Sequence, residues 1–410
     1  MSNSFNFVGR LSIPKQTEKF KPYEKIEFEG KDYYRETFKF NVIAGDNRHM
    51  MSINSFVSSV IYTLGKEKDE NGKSSIQIPY VDRNKPESIE KVAGFKIFTI
   101  DLEKPKRRYA ITRAIEKLKS GEDISEDELS KKFDLPNDIE ELKTLLEKSN
   151  KLKKEFIHEG DFIHAIKKVI ESGKYTESLF NVRGNLEYTT NASGDKFYEN
   201  FVPQKIYLSD KEPSSEANLD FIFTKDCVEV GKTKTIVNGF VSSYDNRRKK
   251  NIFAPVTLAL EPLDEKQEKI NKVVVKQLET AKKGKYKQIG LKIDVLNGSQ
   301  KVKFDISLLN DFQKEMYEIG ALTEEEIMTD LMSGDNKSDL YGDQIKEMVI
   351  LNVSRGNTKG AVDTMYTSSD MVVEALEIRK DETSKEEDTS VTEETPAAED
   401  DDDDIFGDDF

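Results

Sequence analysis

The chain has 410 residues, 36% of them hydrophobic, which allows two or three modest cores and excludes one large apolar core. A single cysteine, Cys227, excludes an intrachain disulfide and a cysteine-based zinc site, and the three histidines lack metal-ligand spacing, so we expect no metal and no cofactor. The net charge of −15 is uneven, because residues 381–410 hold 15 acids and one base, leaving 62 basic and 63 acidic residues elsewhere. A body so close to neutral can bind a polyanion.

The N-terminus shows no apolar signal core, and no stretch approaches the roughly 18 apolar residues of a membrane span. We therefore expect a cytoplasmic protein with no membrane contact. Residues 1–106 contain short segments rich in β-branched and aromatic residues, separated by Gly, Asn, Asp and Pro. This rhythm predicts a small β-barrel or sandwich.

The segment Tyr33–Val42 has a clear alternation of side chains. One face holds the apolar residues Phe38, Phe40 and Val42. The other face holds Tyr33, Arg35, Thr37 and Lys39. We predict that the first face points inward and that the second, aromatic and basic, points outward.

Residues 107–178 change to a helical period. Apolar residues recur at spacings of three and four at Ile139, Leu142, Leu145, Leu146 and Leu152. We predict a helical insertion of two to four helices, acting as a scaffold or subunit contact.

Strand-like sequence returns in residues 179–263, where the chain resembles its own beginning. Phe180–Leu186 matches Phe5–Leu11 at four of seven positions, and Ile236–Tyr244 matches Ser52–Val60 at five of nine. Chance similarity between short strands is one explanation. The alternative is a repeat, which makes residues 179–263 a second copy of the first β domain.

The remainder divides into two parts. Residues 264–380 mix helix-like and strand-like segments and either complete the second domain or form a third unit. Residues 381–410 are too acidic to pack a core and are predicted to be a disordered tail.

Aromatic residues interleaved with bases suggest contact with single-stranded nucleic acid, since cations follow the phosphates and flat rings stack on bases. The candidate DNA-binding residues are Tyr33, Arg35, Lys39, Arg48, Phe56, Arg107, Arg108, Tyr198, Phe240, Tyr244, Arg247, Arg248, Lys249, Lys250 and Phe253. Phe56 and Phe240 occupy the same place in the proposed repeat, where core packing is the alternative to base stacking. Arg247–Lys250 is the densest basic run and is predicted to be an exposed loop.

The tip of the tail combines large apolar groups with aspartates. Its candidate partner-binding residues are Ile405, Phe406, Asp408, Asp409 and Phe410. Aromatic anchors beside carboxylates suit a small pocket with a basic rim on a partner protein.

These features resemble the single-stranded DNA-binding proteins of replication, most closely those of bacteriophages. The resemblance rests on the Val8-Gly9-Arg10-Leu11 strand, the aromatic and basic β domains, and the acidic tail that ends in Phe410. It implies an OB-fold core that lays single strands across its face. It also implies a tail that recruits a polymerase, a helicase or primase, or a recombinase, and that folds back on the DNA groove when DNA is absent. Without tryptophan, stacking falls to Tyr and Phe.

We therefore expect a mostly β fold with helical insertions (α+β), comprising two OB-like β-barrel domains and a disordered acidic C-terminal tail. The expected function is non-catalytic binding and protection of single-stranded DNA during replication, recombination or repair. One alternative is a structural protein or DNA mimic that does not bind single strands. An OB-containing processing enzyme is a third hypothesis, but no catalytic constellation or nucleotide loop is present in the sequence.

Overall fold

The computed structural model describes residues 3–68, 72, 74–231, 234–262, 264–301, 309, 311–323, 341–354, 362–363 and 366–376. Within these ranges the protein is mostly β, with helices inserted between strands, as the sequence predicts. None of the described helices is long and apolar enough to span a bilayer. The acidic tail, and with it the five candidate partner-binding residues, lies outside the described residues.

The strands are β1 (Ser4–Ser12), β2 (Tyr23–Glu27), β3 (Tyr34–Ala44), β4 (Asn47–Val57), β5 (Val60–Leu64), β6 (Ser75–Pro79), β7 (Phe98–Asp101), β8 (Lys153–Phe156), β9 (Phe180–Thr190), β10 (Phe197–Leu208), β11 (Ser214–Phe223), β12 (Val228–Val230), β13 (Thr235–Asp245), β14 (Lys250–Leu260), β15 (Lys287–Lys301), β16 (Tyr341–Val353) and β17 (Val362–Asp363). The helices are α1 (Pro86–Lys91), α2 (Pro105–Lys119), α3 (Glu128–Lys132), α4 (Ile139–Lys151), α5 (Glu159–Glu171), α6 (Glu265–Leu278) and α7 (Asp311–Glu318). Most of the strands belong to one large sheet, and β5 and β6 form a separate hairpin.

Five strands in the N-terminal half pair in a closed cycle, which we call the first ring. In spatial order they are β1, β3, β4, β10 and β9, and β9 pairs back to β1. All the pairings are antiparallel except β4 with β10, which are parallel at Met51 and Phe201. Helix α5 lies between β4 and β9 in the chain.

A second ring has the same order. Its strands are β11, β13, β14, β16 and β15, and β15 pairs back to β11. Again one pairing is parallel, between β14 and β16 at Ala259 and Val349, and helix α6 lies between β14 and β15. The two rings therefore share strand order, strand direction and helix position.

These pairings cross the expected domain boundaries. The first ring is completed by β9 and β10, which the sequence interpretation placed in the second domain at residues 179–263. The matching segments Phe5–Leu11 and Phe180–Leu186 are neighbouring antiparallel strands of one ring, not equivalent parts of two rings. Both segments contain a glycine because a neighbouring backbone carbonyl leaves no room for a side chain there. A Cβ on Gly9 would lie 2.3 Å from Ile43 O, and one on Gly184 would lie 2.0 Å from Val202 O.

Alternating side chains of both rings fill one continuous core, so the prediction of separate modest cores is wrong for the two rings. This core includes Phe7, Phe38, Phe40, Val182, Phe221, Val241, Leu258 and Ile293. The ring helices cover this core with apolar residues one turn apart, such as Phe162 and Ile166 of α5. A smaller core within the insertion joins α2 and α4 through Ile111 and the predicted helical residue Leu142.

The two rings meet through reciprocal contacts. Their first strands, β1 and β11, pair antiparallel. Arg247, at the turn between β13 and β14, donates a hydrogen bond to Thr190 O at the end of β9. In return, the backbone nitrogen of Asn297 in β15 donates to Asn47 Oδ1 at the start of β4, at 2.9 Å. Each ring thus places one strand, β9 or β15, against a hairpin of the other ring. In chain order this strand is the fourth of its ring, and the hairpin joins the second and third strands of the other.

His49 lies at this junction and is fully buried. Its ring stacks on Phe7 with a centroid distance of 4.2 Å, and its Nε2 lies 2.7 Å from Ser215 Oγ of β11. Burial lowers the pKa of His49 from 6.5 to about 4. The neutral imidazole therefore belongs to the folded state.

Acid should weaken the fold through His49. Because its pKa is lower in the folded state, the unfolded state binds more protons between about pH 6.5 and 4, and stability falls as the pH drops through that window. The loss by pH 4 should be about 3 kcal/mol. Urea unfolding of His49→Gln should show a smaller loss on acidification than the wild type. His164→Gln, at a half-exposed histidine, is the matched control, and equal acid sensitivity in His49→Gln and the wild type would contradict this role.

Candidate nucleic-acid interface

The hairpin of β3 and β4 forms an exposed face on the first ring. A two-residue turn joins the strands, and its first residue, Gly45, has a φ of 63°, a conformation that glycine adopts at little cost. Inward side chains such as Phe38 and Met51 are fully buried. The alternate residues therefore point outward, as predicted for β3.

We call the outward residues of this hairpin the first face. They are Arg35, Thr37, Lys39, Asn41, Ile43, Arg48, Met50, Ser52, Asn54 and Phe56. The corresponding outward residues of β13 and β14 form the second face. They are Ile236, Asn238, Phe240, Ser242, Tyr244, Asn251, Phe253, Pro255, Thr257 and Ala259.

Neither face contains an acidic residue, although the chain has 78 Asp and Glu among 410 residues. At that average frequency, twenty positions would be expected to include several acids, although Asn41, Phe253 and Ala259 among them are buried. The absence matters because a carboxylate on the face would repel phosphate. The two hairpins thus contribute no carboxylate of their own, while neighbouring strands place Glu24 opposite Thr37 and Glu229 at 2.9 Å from Asn238 Nδ2.

The first face offers flat and flexible apolar groups beside cations. Phe56 is 60% exposed and lies opposite Arg35 on the neighbouring strand. Lys39 Nζ lies 5.2 Å from the centre of the Phe20 ring, in the loop that connects β1 and β2. Such pairs combine a stacking surface with a phosphate contact.

A cross-strand hydrogen bond fixes how the two faces correspond. Thr37 Oγ1 donates to Asn54 Oδ1 at 2.8 Å on the first face, and Thr257 Oγ1 donates to Asn238 Oδ1 at 2.9 Å on the second. Both pairs lie at the same distance from their hairpin turns.

Phe56 and Phe240 are therefore not equivalent residues. Phe56 is on the third strand of its ring, whereas Phe240 is on the second strand. The prediction that they fall at one repeat position is wrong. Both side chains nevertheless point away from the core, so core packing does not explain either phenylalanine.

Residues 366–376, which we call the strap, cover part of the second face. The Tyr366 ring lies 4.8 Å from that of Phe253 in an edge contact, and Phe253 is buried. Lys250 Nζ pairs with the Glu374 carboxylate at 2.8 Å. The strap also reaches the first ring, where Leu376 N donates to Ala192 O at 2.9 Å.

The predicted basic loop Arg247–Lys250 is largely committed to contacts within the protein. The side chain of Arg248 is 3% exposed, pairs with Asp245, and donates to Glu374 O. It also donates to Asn191 O and Ala192 O. With Arg247 bonded to Thr190 and Lys250 to the strap, Lys249 is the most available cation of the four, being exposed in a left-handed conformation.

Two further predicted cations belong to the internal framework. Arg108, in α2, pairs with Asp101 and donates from Nη2 to Ser149 O at 2.7 Å, which connects β7, α2 and α4. Arg107 pairs with Glu103 at 2.7 Å. We therefore leave Arg107 and Arg108 out of the candidate interface.

The remaining predicted aromatics are accessible. Tyr33 precedes β3 and lies 5.1 Å from the Phe28 ring, ring centre to ring centre. Tyr198 and Tyr244 are exposed on β10 and β13. Tyr33 and Tyr198 flank the first ring, whereas Tyr244 belongs to the second face.

Sequence reasoning missed two groups of residues. Phe20 is in an irregular loop, and no local pattern marks it as a neighbour of Lys39. The loop residues Lys282, Lys283, Lys285 and Tyr286 fall within residues 264–380, for which the sequence predicts only mixed helix and strand. Their interleaving of lysines with a tyrosine is the signal that would have identified them.

The sequence matches no model of a known protein family, and no curated protein is significantly similar to it. The functional interpretation therefore depends on the geometry of this chain and on the sequence features above.

Proposed function

We propose that this protein is a non-catalytic single-stranded DNA-binding protein. The two OB-like rings hold the single-stranded DNA, and the acidic C-terminal tail recruits replication, recombination or repair enzymes. Its sequence features resemble those of bacteriophage single-stranded DNA-binding proteins, which supports a role in DNA replication for a phage-encoded protein.

Support for OB-like rings comes from their connectivity. Each ring has five strands. Counted in chain order, the third and fifth strands make a parallel contact, and a helix lies between the third and fourth. An OB-fold is a five-stranded Greek-key barrel that binds oligonucleotides on its second and third strands. Those strands are β3 and β4 in the first ring and β13 and β14 in the second.

The observation that carries the proposal is the composition of the two faces. They lie on the strands that an OB-fold uses, lack acids, and present Phe56, Phe240 and Tyr244 outward. Ring stacking is tolerant of base identity because every base has a π-face. Binding with little sequence preference is the expected consequence.

The charge distribution explains how an acidic chain binds a polyanion. The body has almost no net charge, so its local cations can attract phosphates, while the tail carries the excess of acids. The strap, whose last described contact joins Leu376 N to Ala192 O, precedes that tail in the chain. Ile405, Phe406 and Phe410 are proposed to select a polymerase, a helicase or primase, or a recombinase, with Asp408 and Asp409 meeting a basic rim.

Removal of residues 381–410 tests both parts of the proposal. Fluorescence anisotropy should show that full-length and tail-less protein bind single strands, with equal or tighter binding for the tail-less form because a competing polyanion is gone. The affinity of both should fall steeply between about 50 and 200 mM salt, and duplex DNA should bind more weakly. Phe410→Ala is the matched control, since it should weaken capture of partner enzymes and leave DNA affinity unchanged.

The alternative is a structural protein or DNA mimic. It predicts no affinity for single strands even without the tail. Loss of DNA binding on truncation would instead contradict competition by the tail.

A further inference from the structure

The loop between α6 and β15 carries an exposed basic cluster. Lys282, Lys283 and Lys285 are exposed, and no ion pair involving them occurs in the part of the chain that the structure describes. Glu279, at the end of α6, is the exposed acid that precedes the loop, and the exposed Asp226 lies in the turn after Thr224, which contacts Lys285. Four positive charges oppose these two once the neighbouring Lys225 is included.

Internal contacts hold the backbone of this loop in place. Lys285 N donates to Lys282 O at 3.0 Å, and Thr224 Oγ1 donates to Lys285 O at 3.2 Å. Ala281 is buried at the start of the loop. The ammonium groups are therefore presented from a fixed turn, which lowers the entropy cost of binding.

The same loop places an aromatic residue against the second face. The rings of Tyr286 and Phe240 are 6.2 Å apart, centre to centre, with their planes at 73°. Phe240 lies two residues further from the hairpin turn than Ser242, which faces the strap-covered Phe253. The Tyr286 contact thus involves a residue other than the Ser242–Phe253 pair at which the strap lies, and β17 pairs with β15 just after Tyr286, at Lys287 and Gln288.

The corresponding loop of the first ring, between α5 and β9, has a different character. Its tyrosine, Tyr175, packs on the buried Phe180 with ring centres 6.0 Å apart. Its acid Glu177 pairs with Arg10 at 3.1 Å. Because this ring forms without a basic outward loop, the lysines of the second ring are not a requirement of the fold.

We infer that Lys282, Lys283, Lys285, Tyr286 and Phe240 form a distinct contact site for single-stranded DNA on the second ring. The inference rests on the proposed function and extends it to a loop outside the two faces. The lysines bind successive phosphates, and the Tyr286 and Phe240 rings contact a base. The strand thereby reaches the second ring without displacing the strap.

The triple variant Lys282→Ala/Lys283→Ala/Lys285→Ala tests this site. Its matched control, Lys266→Ala/Lys269→Ala/Lys272→Ala, removes the same charge from the beginning and middle of α6, where Lys272 pairs with Glu268 on the helix surface. Binding to an oligo-dT of about 30 nucleotides is measured over a range of salt concentrations. Three lost phosphate contacts should lower the slope of log affinity against log salt by about 2, and affinity at 0.1 M salt by about 10- to 100-fold.

The control variant should retain the wild-type slope, and both variants should unfold at the wild-type temperature. Equal slopes for the two variants would overturn the inference while leaving the proposed function intact. Failure of the wild type to bind the oligonucleotide would instead remove the proposed function. Photocrosslinking of the wild type to a bromodeoxyuridine oligonucleotide should label Tyr286 or Phe240, and labelling confined to the first face would also overturn the site.

Discussion

Replacing Arg248 with alanine should destabilise the protein by about 3 kcal/mol, since the buried Asp245 carboxylate loses its closest cation and keeps only the longer contact to Arg247 Nε, at 3.7 Å. The Arg248 and Asp245 side chains are 3% and 5% exposed, and hydrogen bonds from Arg248 also join the second ring to the first ring and to the strap. Urea unfolding of Arg248→Ala measures this loss. The same substitution in a solvated DNA-binding loop would cost little stability.

Lys249→Ala is the matched control for that experiment. Lys249 is the next residue, is exposed, and has the same positive charge. Its removal should change the unfolding free energy by less than about 0.5 kcal/mol. A stable Arg248→Ala variant with weakened DNA binding would return Arg248 to the interface and contradict its structural role.

Replacing Phe56 with alanine should reduce affinity for single-stranded DNA by about 5- to 150-fold, which corresponds to about 1–3 kcal/mol for one stacked base. Because the side chain is 60% exposed and points away from the core, the substitution should leave the unfolding free energy nearly unchanged. Fluorescence anisotropy on an oligo-dT measures the affinity.

Two control variants separate stacking from general hydrophobicity. Phe56→Tyr keeps a flat ring and should retain most of the affinity. Phe95→Ala removes an equally exposed ring, 62% accessible, outside both faces, and should have no effect. Equal losses from Phe56→Ala and Phe95→Ala would show that the first face is not the stacking surface.

The first face, the second face and the loop with Lys282, Lys283 and Lys285 are three separate surfaces of the protein. The first face is exposed at Arg48, Met50 and Phe56, the strap covers Phe253 of the second face, and Tyr286 of the lysine loop contacts Phe240. A strand that uses the first face and the lysine loop contacts both rings. The reciprocal contact at Asn47 and Asn297 fixes the relation between them.

The local pattern of the sequence was sufficient where one segment contained all the information. Alternation in Tyr33–Val42 separated the buried Phe38 and Phe40 from the outward Arg35 and Lys39, because successive strand side chains must point to opposite faces. The helical period of the insertion likewise identified Leu142 as a core residue. Mostly β composition with inserted helices was predictable for the same reason.

Only the tertiary structure decided which strands close each ring and which cations are available. The first ring pairs β4 with β10, which follows it by more than a hundred residues in the chain, and such pairing depends on contacts that no local pattern encodes. Arg248 and Lys249 are adjacent and equally basic in the sequence. One is buried against Asp245 and distant carbonyl groups while the other is exposed, because burial is set by segments far away in the chain.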